Sequence, residues 1–274
     1  MKNKFLPLAL VAAMFTGLNS CDDLEALCNL SEDDLGSGEV FVTSLNHMMD
    51  VYSRIDNAYK DTTLQNTGSA TIDGAECTLT SDSLILDFGN GASCADGKIR
   101  KGSIRTGITA DYMVAGGGAS GNLSGYHVDN VLIVGSLDVM NDGPTGAYPV
   151  INVFSNSIAV GDESDVDFDM NMQWLSGFLT MEANDDIFKV YGAIDGADLE
   201  NNSLFEADII DSLHYDYACV NYIEYGSLDL TISGDSSSVG VINVDFIESD
   251  GCNNLFMVTA TCDQGPISFT YPFN

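Results

Sequence analysis

The side chains that most often perform chemistry are sparse in this chain of 274 residues. There are three histidines, His47, His127 and His214, and none of them lies in a His-Glu-x-x-His zinc motif. No Gly-x-Ser-x-Gly sequence supplies a serine nucleophile. Nucleophiles and general bases are therefore scarce, and the sequence predicts a protein without catalytic activity.

Carboxylates are abundant, with 41 Asp and Glu residues. A glycoside hydrolase needs two carboxylates at a set separation, and no spacing in the sequence singles out such a pair. This activity, or a role as an accessory to polysaccharide processing, is the alternative function. Calcium binds carboxylate oxygens in loops, and a structural Ca²⁺ is the one cofactor that the sequence suggests, although turn formation alone also explains Asp-Gly sequences. The calcium candidates are Asp162, Glu163, Asp165, Asp195, Asp198 and Asp250.

The stretch LILDFGNGASCADGKIRKGSI (84–104) contains two acids, several glycines, a cysteine and three of the chain's nine Lys and Arg residues. Its two apolar runs flank a glycine-rich turn, which is typical of a strand–turn–strand unit. The one basic cluster begins in this stretch and ends just after it; it is made of Lys98, Arg100, Lys101 and Arg105. We expect these cations to pair with neighbouring acids; the alternative is an anchor for an acidic partner or polysaccharide.

Seven cysteines are present. Apart from Cys21, an even number remains, which in an exported chain predicts disulfides. The candidates are Cys28, Cys77, Cys94, Cys219, Cys252 and Cys262. Cys77 with Cys94 is the expected local pair, and a second pair is expected among Cys219, Cys252 and Cys262, with the choice left open. The absence of Cys-x-x-Cys argues against zinc.

Residues 1–20 have the layout of an export signal. Lys2 and Lys4 precede a short apolar run, which is too short to span a bilayer. Leu18-Asn19-Ser20-Cys21 resembles the bacterial lipobox, in which the signal is cut before a cysteine that is then lipidated. The sequence thus predicts lipidation at Cys21 and a membrane anchor. The acidic segment 21–38 is expected to be a tether, and its acids resemble the surface-export signal of Bacteroidetes lipoproteins.

The charge balance excludes one class of partner. The chain carries a formal net charge of −32, and Lys2 and Lys4 lie in the segment expected to be removed. A nucleic-acid-binding protein needs the opposite sign.

Periodicity predicts one helix and many strands. Apolar residues recur in steps of three and four across residues 39–66, which predicts an amphipathic helix packed on the rest of the protein. They are Phe41, Leu45, Met48, Tyr52, Ile55 and Tyr59. From residue 67 to 274 the period is two, as in the strict alternation of 165–174, and Gly, Asn and Asp punctuate the strands.

We therefore expect an all-β fold, an antiparallel sandwich or a partly closed barrel, preceded by the helix. Residues 241–269 repeat the order of motifs in 84–104, which suggests that the β body consists of two related halves, about 67–160 and 161–274.

Several motifs together resemble a family. Asp87-Phe-Gly-Asn-Gly, Cys94, Asp96-Gly97 and the Arg100-Lys-Gly-Ser-Ile run, with a closing Asp-Gly-Cys-Asn-Asn at 250–254, are similar to a pattern in exported lipoproteins of the Bacteroidetes. The resemblance implies a lipid anchor and a β-rich body and carries no activity with it. The function expected from the sequence is an outer-membrane lipoprotein, exposed at the cell surface, that binds a glycan or an envelope protein or acts as a structural module.

Overall fold

The computed structural model describes residues 32–111, 113–219, 223–234, 239–247, 255–262 and 265–272. Within them the fold is one long α-helix, one short α-helix, a single turn of 3₁₀ helix at Ala183–Asp185 and a single sheet of fourteen strands. No helix of this part is both long and apolar enough to cross a bilayer.

The long helix α1 spans Glu32–Lys60, and a short helix α2 spans Thr62–Thr67. The predicted helix 39–66 is thus interrupted after Lys60. Asp61 has an extended backbone and its Oδ1 accepts a hydrogen bond from the amide of Leu64 at 2.7 Å, so it is the N-cap of α2. Gly68 ends α2 in the left-handed conformation, with φ 75°.

The sheet is an antiparallel meander in which every strand pairs with its neighbours in the chain. The strands are Ser69–Ile72 (β1), Ala75–Leu79 (β2), Ser83–Ser93 (β3), Ile99–Ala110 (β4), Gly118–Val128 (β5), Val131–Thr145 (β6), Tyr148–Val160 (β7), Ser164–Ser176 (β8), Ile187–Asp198 (β9), Ser203–Asp216 (β10), Ile223–Gly234 (β11), Val239–Phe246 (β12), Leu255–Cys262 (β13) and Gly265–Pro272 (β14). In the described residues β1 pairs only with β2 and β14 only with β13, so the sheet is open.

The sheet curls round α1. The helix packs against β3, β4 and every strand from β6 to β12, which is possible only if the inner face of the sheet surrounds it. The alternation of β8 agrees with this arrangement: Val166, Phe168, Met170, Met172 and Trp174 are buried, and the residues between them are more exposed. The prediction of an antiparallel all-β fold with an N-terminal helix is confirmed.

The helix is buried on more than its apolar stripe. Five of the six stripe residues are buried and Tyr59 is partly buried. Polar residues of the other faces, including Asp50, Arg54, Asp56 and Lys60, are buried as well. These four charged side chains are covered by the sheet, so they must find partners inside the protein.

Candidate functional site

Two arginines and three aspartates form a buried network between α1 and the β1–β4 part of the sheet. Nη2 of Arg100 lies 2.5 Å from Oδ1 of Asp50 and 2.5 Å from Oδ2 of Asp96. Arg54 of α1 pairs with Asp73 and lies 3.4 Å from Asp50 and 3.5 Å from Asp96. We call these five residues the arginine network.

The arginines lower the pKa values of two aspartates in the network. Burial alone would raise the pKa of Asp50, but the adjacent Arg54 and Arg100 hold it below its ordinary value. Burial would likewise raise the pKa of Asp96, and hydrogen bonds from Arg100 lower it to about 2. Tyr126 also donates to Oδ2 of Asp50 at 2.9 Å. The prediction that the basic cluster pairs with acids is correct for Arg100, which is 0% exposed.

One group of three metal-ligating side chains converges within the described residues. Ligand atoms of Asp73, Cys94 and Asp96 lie within 4.8 Å of one another. The carboxylate oxygens already accept hydrogen bonds from Arg54, Arg100 and backbone amides. Burial also raises the pKa of the Cys94 thiol. A cation would have to displace two guanidinium groups, so this donor set does not fit a metal ion.

The predicted disulfide between Cys77 and Cys94 is wrong. Both are buried free thiols. The β2–β3 register places Leu86, and not Cys94, opposite Cys77. Cys94 follows the last residue of β3, several residues after the part of β3 that pairs with β2. Cys219 is disulfide-bonded, and the pairing among Cys219, Cys252 and Cys262 stays a prediction. The side chains of Cys28, Cys252 and Cys262, and the lipidation candidate Cys21, lie outside the described part.

The calcium candidates do not form one ligand set. Asp165 and Asp195 are exposed on β8 and β9. Asp198 is fully buried, and its oxygens accept hydrogen bonds from Ser37 at 2.8 Å and from the amides of Glu200 and Asn201 at 3.1 and 3.0 Å, so it stabilises a turn. Among the described residues, no convergent triplet within 4.8 Å includes any of them.

The remaining two calcium candidates with described positions lie near that turn. Asp162 and Glu163 belong to the β7–β8 turn. The pKa of Glu163 is raised by burial and then by neighbouring acids, which include Glu200 and Asp198. Asp250 lies outside the described residues, so the prediction there stays a prediction.

The outer face of the sheet has a groove where β10 loses its regular pairing. Pairing with β9 jumps from Asp208 opposite Ala193 to Leu213 opposite Val190, so four residues of β10 face two of β9. Pairing with β11 shifts in the same segment. Gly226 of β11 has φ 122°, and a Cβ there would lie 2.8 Å from the Cα of Leu213. The bulge and this close backbone approach open a groove of about 600 Å³.

An aromatic pair lines one part of the groove. His214 of β10 and Tyr225 of β11 are cross-strand partners whose rings stack at 4.4 Å between centroids, with 10° between planes. Nδ1 of His214 lies 3.0 Å from Oε2 of Glu224, which fixes the orientation of the imidazole. Lys189 of β9 is opposite His214 and also lines the groove.

Two carboxylates and a hydroxyl line the adjacent part. The register places Asp211 opposite Ser227 and Ser227 opposite Asp245, so the three lie in one row across β10, β11 and β12. Oγ of Ser227 is 3.4 Å from Oδ2 of Asp211. The pKa of Asp245 is raised, first by burial and then by the charge of Asp211.

Sequence reasoning missed this groove. His214 was noted only as one of three histidines, and the acids around it were not singled out. One signal was available: in the alternation of Phe205, Ala207, Ile209, Leu213 and Tyr215, residue 211 is an aspartate at a position where an inward apolar residue is expected. An acid at such a position indicates a bulge that turns it outward.

The other two histidines lie elsewhere. His47 is buried on α1, and burial lowers its pKa to about 4. Nδ1 of His127 lies 2.8 Å from the carbonyl oxygen of Gly125, on β5. Neither lines the groove.

Comparison of the chain with protein-family models, with curated proteins and with solved structures finds no match.

Proposed function

We propose that this protein is a lipid-anchored outer-membrane protein that binds a glycan in the outer-face groove. The observation that carries the proposal is the juxtaposition of the stacked His214–Tyr225 pair with the row formed by Asp211, Ser227 and Asp245. This places an aromatic surface next to hydrogen-bonding groups in a groove of about 600 Å³, within the range of ligand sites.

The chemistry of a sugar ring matches both parts of the groove. The C–H groups on one face of a pyranose are apolar and pack on aromatic rings, and Tyr225 is 37% exposed. Sugar hydroxyls donate hydrogen bonds to carboxylates, and such charge-assisted bonds are stronger than neutral ones. The groove is also open to solvent at a sheet surface, which suits one segment of a longer chain.

The envelope location rests on the N-terminal sequence. Residues 1–20 have the order of charge, apolar run and cysteine typical of a lipoprotein signal, and acids follow Cys21 directly. The resemblance to exported Bacteroidetes lipoproteins supports the same location. Two or more acyl chains on Cys21 would hold the protein stably at a membrane.

Binding is tested by titrating purified protein with a panel of envelope and host polysaccharides, using isothermal calorimetry. Tyr225→Ala and Asp245→Asn should each weaken binding about tenfold or more, as expected for central contacts of a site. Tyr148→Ala and Asp138→Asn are matched controls, because Tyr148 is 38% exposed and Asp138 is exposed on a different strand. Binding unaffected by the groove variants would contradict the proposal.

A glycoside hydrolase is the second candidate, favoured by the same row of residues. Neighbouring strands lie about 4.8 Å apart, so the backbones of Asp211 and Asp245 are about 9.6 Å apart. This is compatible with the separation of roughly 6.5–9.5 Å between carboxyl groups in inverting enzymes. Asp245, with its raised pKa, would protonate the glycosidic oxygen, and Asp211 would remove a proton from the attacking water.

The two functions differ in a direct measurement. A hydrolase releases new reducing ends from the bound polysaccharide, and both Asp245→Asn and Asp211→Asn abolish the release even at polysaccharide concentrations that saturate each variant. A binding module releases none from any polysaccharide that it binds.

Location is tested by treating intact cells with a protease. We expect cleavage of the mature protein while periplasmic control proteins stay intact. We also expect Cys21→Ala to lose incorporation of radiolabelled fatty acid. Protection from protease would contradict the surface location, and unchanged labelling would contradict lipidation at Cys21.

A further inference from the structure

A second cavity of about 560 Å³ lies beside the C-terminal part of α1, away from the outer-face groove. Segments that are distant in the sequence surround it: the end of α1, the β1–β3 part of the sheet, the loop after β8 and the loop after β10. We call it the end cavity. It shares no lining residue with the groove.

The end cavity carries negative charge. Arg54, Asp73 and Asp96 of the arginine network line it, and Asp61 lines it as well. In the network three carboxylates face two guanidinium groups, which leaves one net negative charge. Asp61 adds another. No lysine or histidine is among the described residues that line the cavity, and the strongly acidic chain attracts cations further.

Three polar side chains are placed to contact a ligand. Oδ1 of Asp61 caps α2 by accepting the amide of Leu64, which leaves Oδ2 for a ligand. Asn57 and Asn184 contribute carboxamide groups to the lining. Acceptors thus exceed donors among these groups, so a ligand that donates hydrogen bonds is favoured.

The other walls are apolar. Phe88 of β3 and Tyr217 of the loop after β10 line the cavity, together with Ile72, Leu86 and Met181. A cationic head near a carboxylate with an apolar body against aromatic rings gains both electrostatic and hydrophobic free energy.

Two backbone hydrogen bonds connect two walls of the cavity. The amide of Tyr217 donates to the carbonyl oxygen of Asp186 at 3.1 Å, and the amide of Asp186 donates to Ala183 at 3.1 Å. Ala183 and Tyr217 both line the cavity. The wall opposite β3 is therefore held in place before a ligand enters, which lowers the entropic cost of binding.

From these observations we infer that the end cavity binds a small organic cation, a primary ammonium group on an apolar or sugar-like body. The ammonium group would lie against Asp61 and Asn57, and the body would lie against Phe88 and Tyr217. This site and its ligand are independent of the glycan groove.

The test uses benzylamine and benzyl alcohol as probes, because they have nearly the same shape and only benzylamine is charged at pH 7. Full-length protein in detergent is titrated with each probe, followed by ligand-observed NMR. We expect benzylamine to bind at least about tenfold more tightly, as a charge-assisted contact to a carboxylate predicts. Equal affinities, or no binding of either probe at millimolar concentration, would overturn the inference.

Variants place the probe in the cavity. Asp61→Asn keeps an N-cap residue for α2 but removes the charge, and it should reduce benzylamine affinity about tenfold. Asp162→Asn, an exposed acid between β7 and β8, is the control and should leave the affinity unchanged. Ala95→Phe places a larger side chain in the cavity from an exposed position and should abolish binding. This second variant tests the assignment independently if Asp61→Asn impairs folding. Unaltered binding in both cavity variants would refute the assignment.

Discussion

Nζ of Lys60 lies 4.0 Å from the centroid of the Trp174 ring, deep inside the protein. The same ammonium group is 2.9 Å from Oδ2 of Asp56 and is also bonded to Asp186. Nε1 of Trp174 in turn donates to Oδ1 of Asp186 at 2.9 Å. Lys60, Asp56 and Asp186 are each at most 1% exposed. The last turn of α1 is thereby joined to β8 and to the segment before β9.

Lys60→Met should destabilise the protein severely. The substitution removes the ammonium group that pairs with both buried carboxylates, Asp56 and Asp186. Removing one partner of a buried ion pair costs about 3–5 kcal/mol, which we expect as the loss in free energy of unfolding by urea denaturation. Lys189→Met, at an exposed position of β9, is the control and should change stability by less than about 0.5 kcal/mol. A small effect of Lys60→Met would show that the pair is not needed for folding.

Asp186 should make stability decrease as the pH rises. Its pKa is raised to about 7, first by burial and then by the charge of Asp56, and Lys60 and Trp174 offset this only in part. Between about pH 4 and pH 7 the folded protein holds a proton on Asp186 that the unfolded chain has released. The contribution of Asp186 to the free energy of unfolding is therefore greatest below pH 4, and it is lost as the pH rises through 7.

Asp186→Asn isolates this contribution. The amide oxygen can still accept the Trp174 hydrogen bond, and the titration is gone. The difference in unfolding free energy, wild type minus variant, should decrease from pH 4 to pH 7 and level off above pH 8. Asp185→Asn, its exposed neighbour, serves as the control. A pH-independent difference for Asp186→Asn would contradict the raised pKa.

His47 should act in the opposite direction. Burial lowers its pKa to about 4, and the attraction of Asp50 offsets this only partly. Its contribution to stability is present above pH 6.5 and is lost as the pH falls through 4, because the unfolded chain then binds a proton more readily. His47→Gln should reduce the loss of stability between pH 6.5 and pH 4, measured by thermal unfolding. His127→Gln, on β5, provides the comparison.

The sequence predicted the period of each element but not how the elements enclose one another. The stripe from Phe41 to Tyr59 correctly indicated a helix, and the alternation of 165–174 correctly indicated β8. In an amphipathic helix Asp50, Arg54 and Lys60 would face solvent, because they lie outside the apolar stripe. One sequence does not reveal that a sheet curls round the helix and buries them. Their partners Asp96, Arg100 and Asp186 come from the turn before β4, from β4 itself and from the segment before β9.

The groove was missed for a related reason. Asp211 and Asp245 are 34 residues apart and meet only through the register of three strands. A bulge shifts that register by an amount that the alternation alone does not specify.

Gly102 and Gly125 offer a matched pair for testing the backbone of β4. Both have positive φ, at 81° and 55°. A Cβ on Gly102 would lie 2.0 Å from the carbonyl oxygen of Gly125, whereas a Cβ on Gly125 would have nothing within 4 Å. Gly125→Ala should cost about 1 kcal/mol from backbone strain alone. Gly102→Ala should cost several times more, because the clash is with backbone and forces β4 and β5 apart. Equal losses in urea denaturation would contradict this packing.

The cysteines give the most direct check of the fold in the 73–100 region. Cys77 is 3% exposed and burial raises its pKa to about 11. Burial also raises the pKa of Cys94, with Arg100 opposing the change. Because the thiolate is the reactive form, both should resist alkylation by iodoacetamide in the folded protein and react once it is unfolded without reductant. Cys219, which is disulfide-bonded, should stay unlabelled until reductant is added, and it is the internal control in peptide mass spectrometry. A disulfide-linked peptide containing Cys77 and Cys94 would show that β2 and the end of β3 come closer than this register allows, since a disulfide requires Cα atoms within about 7 Å.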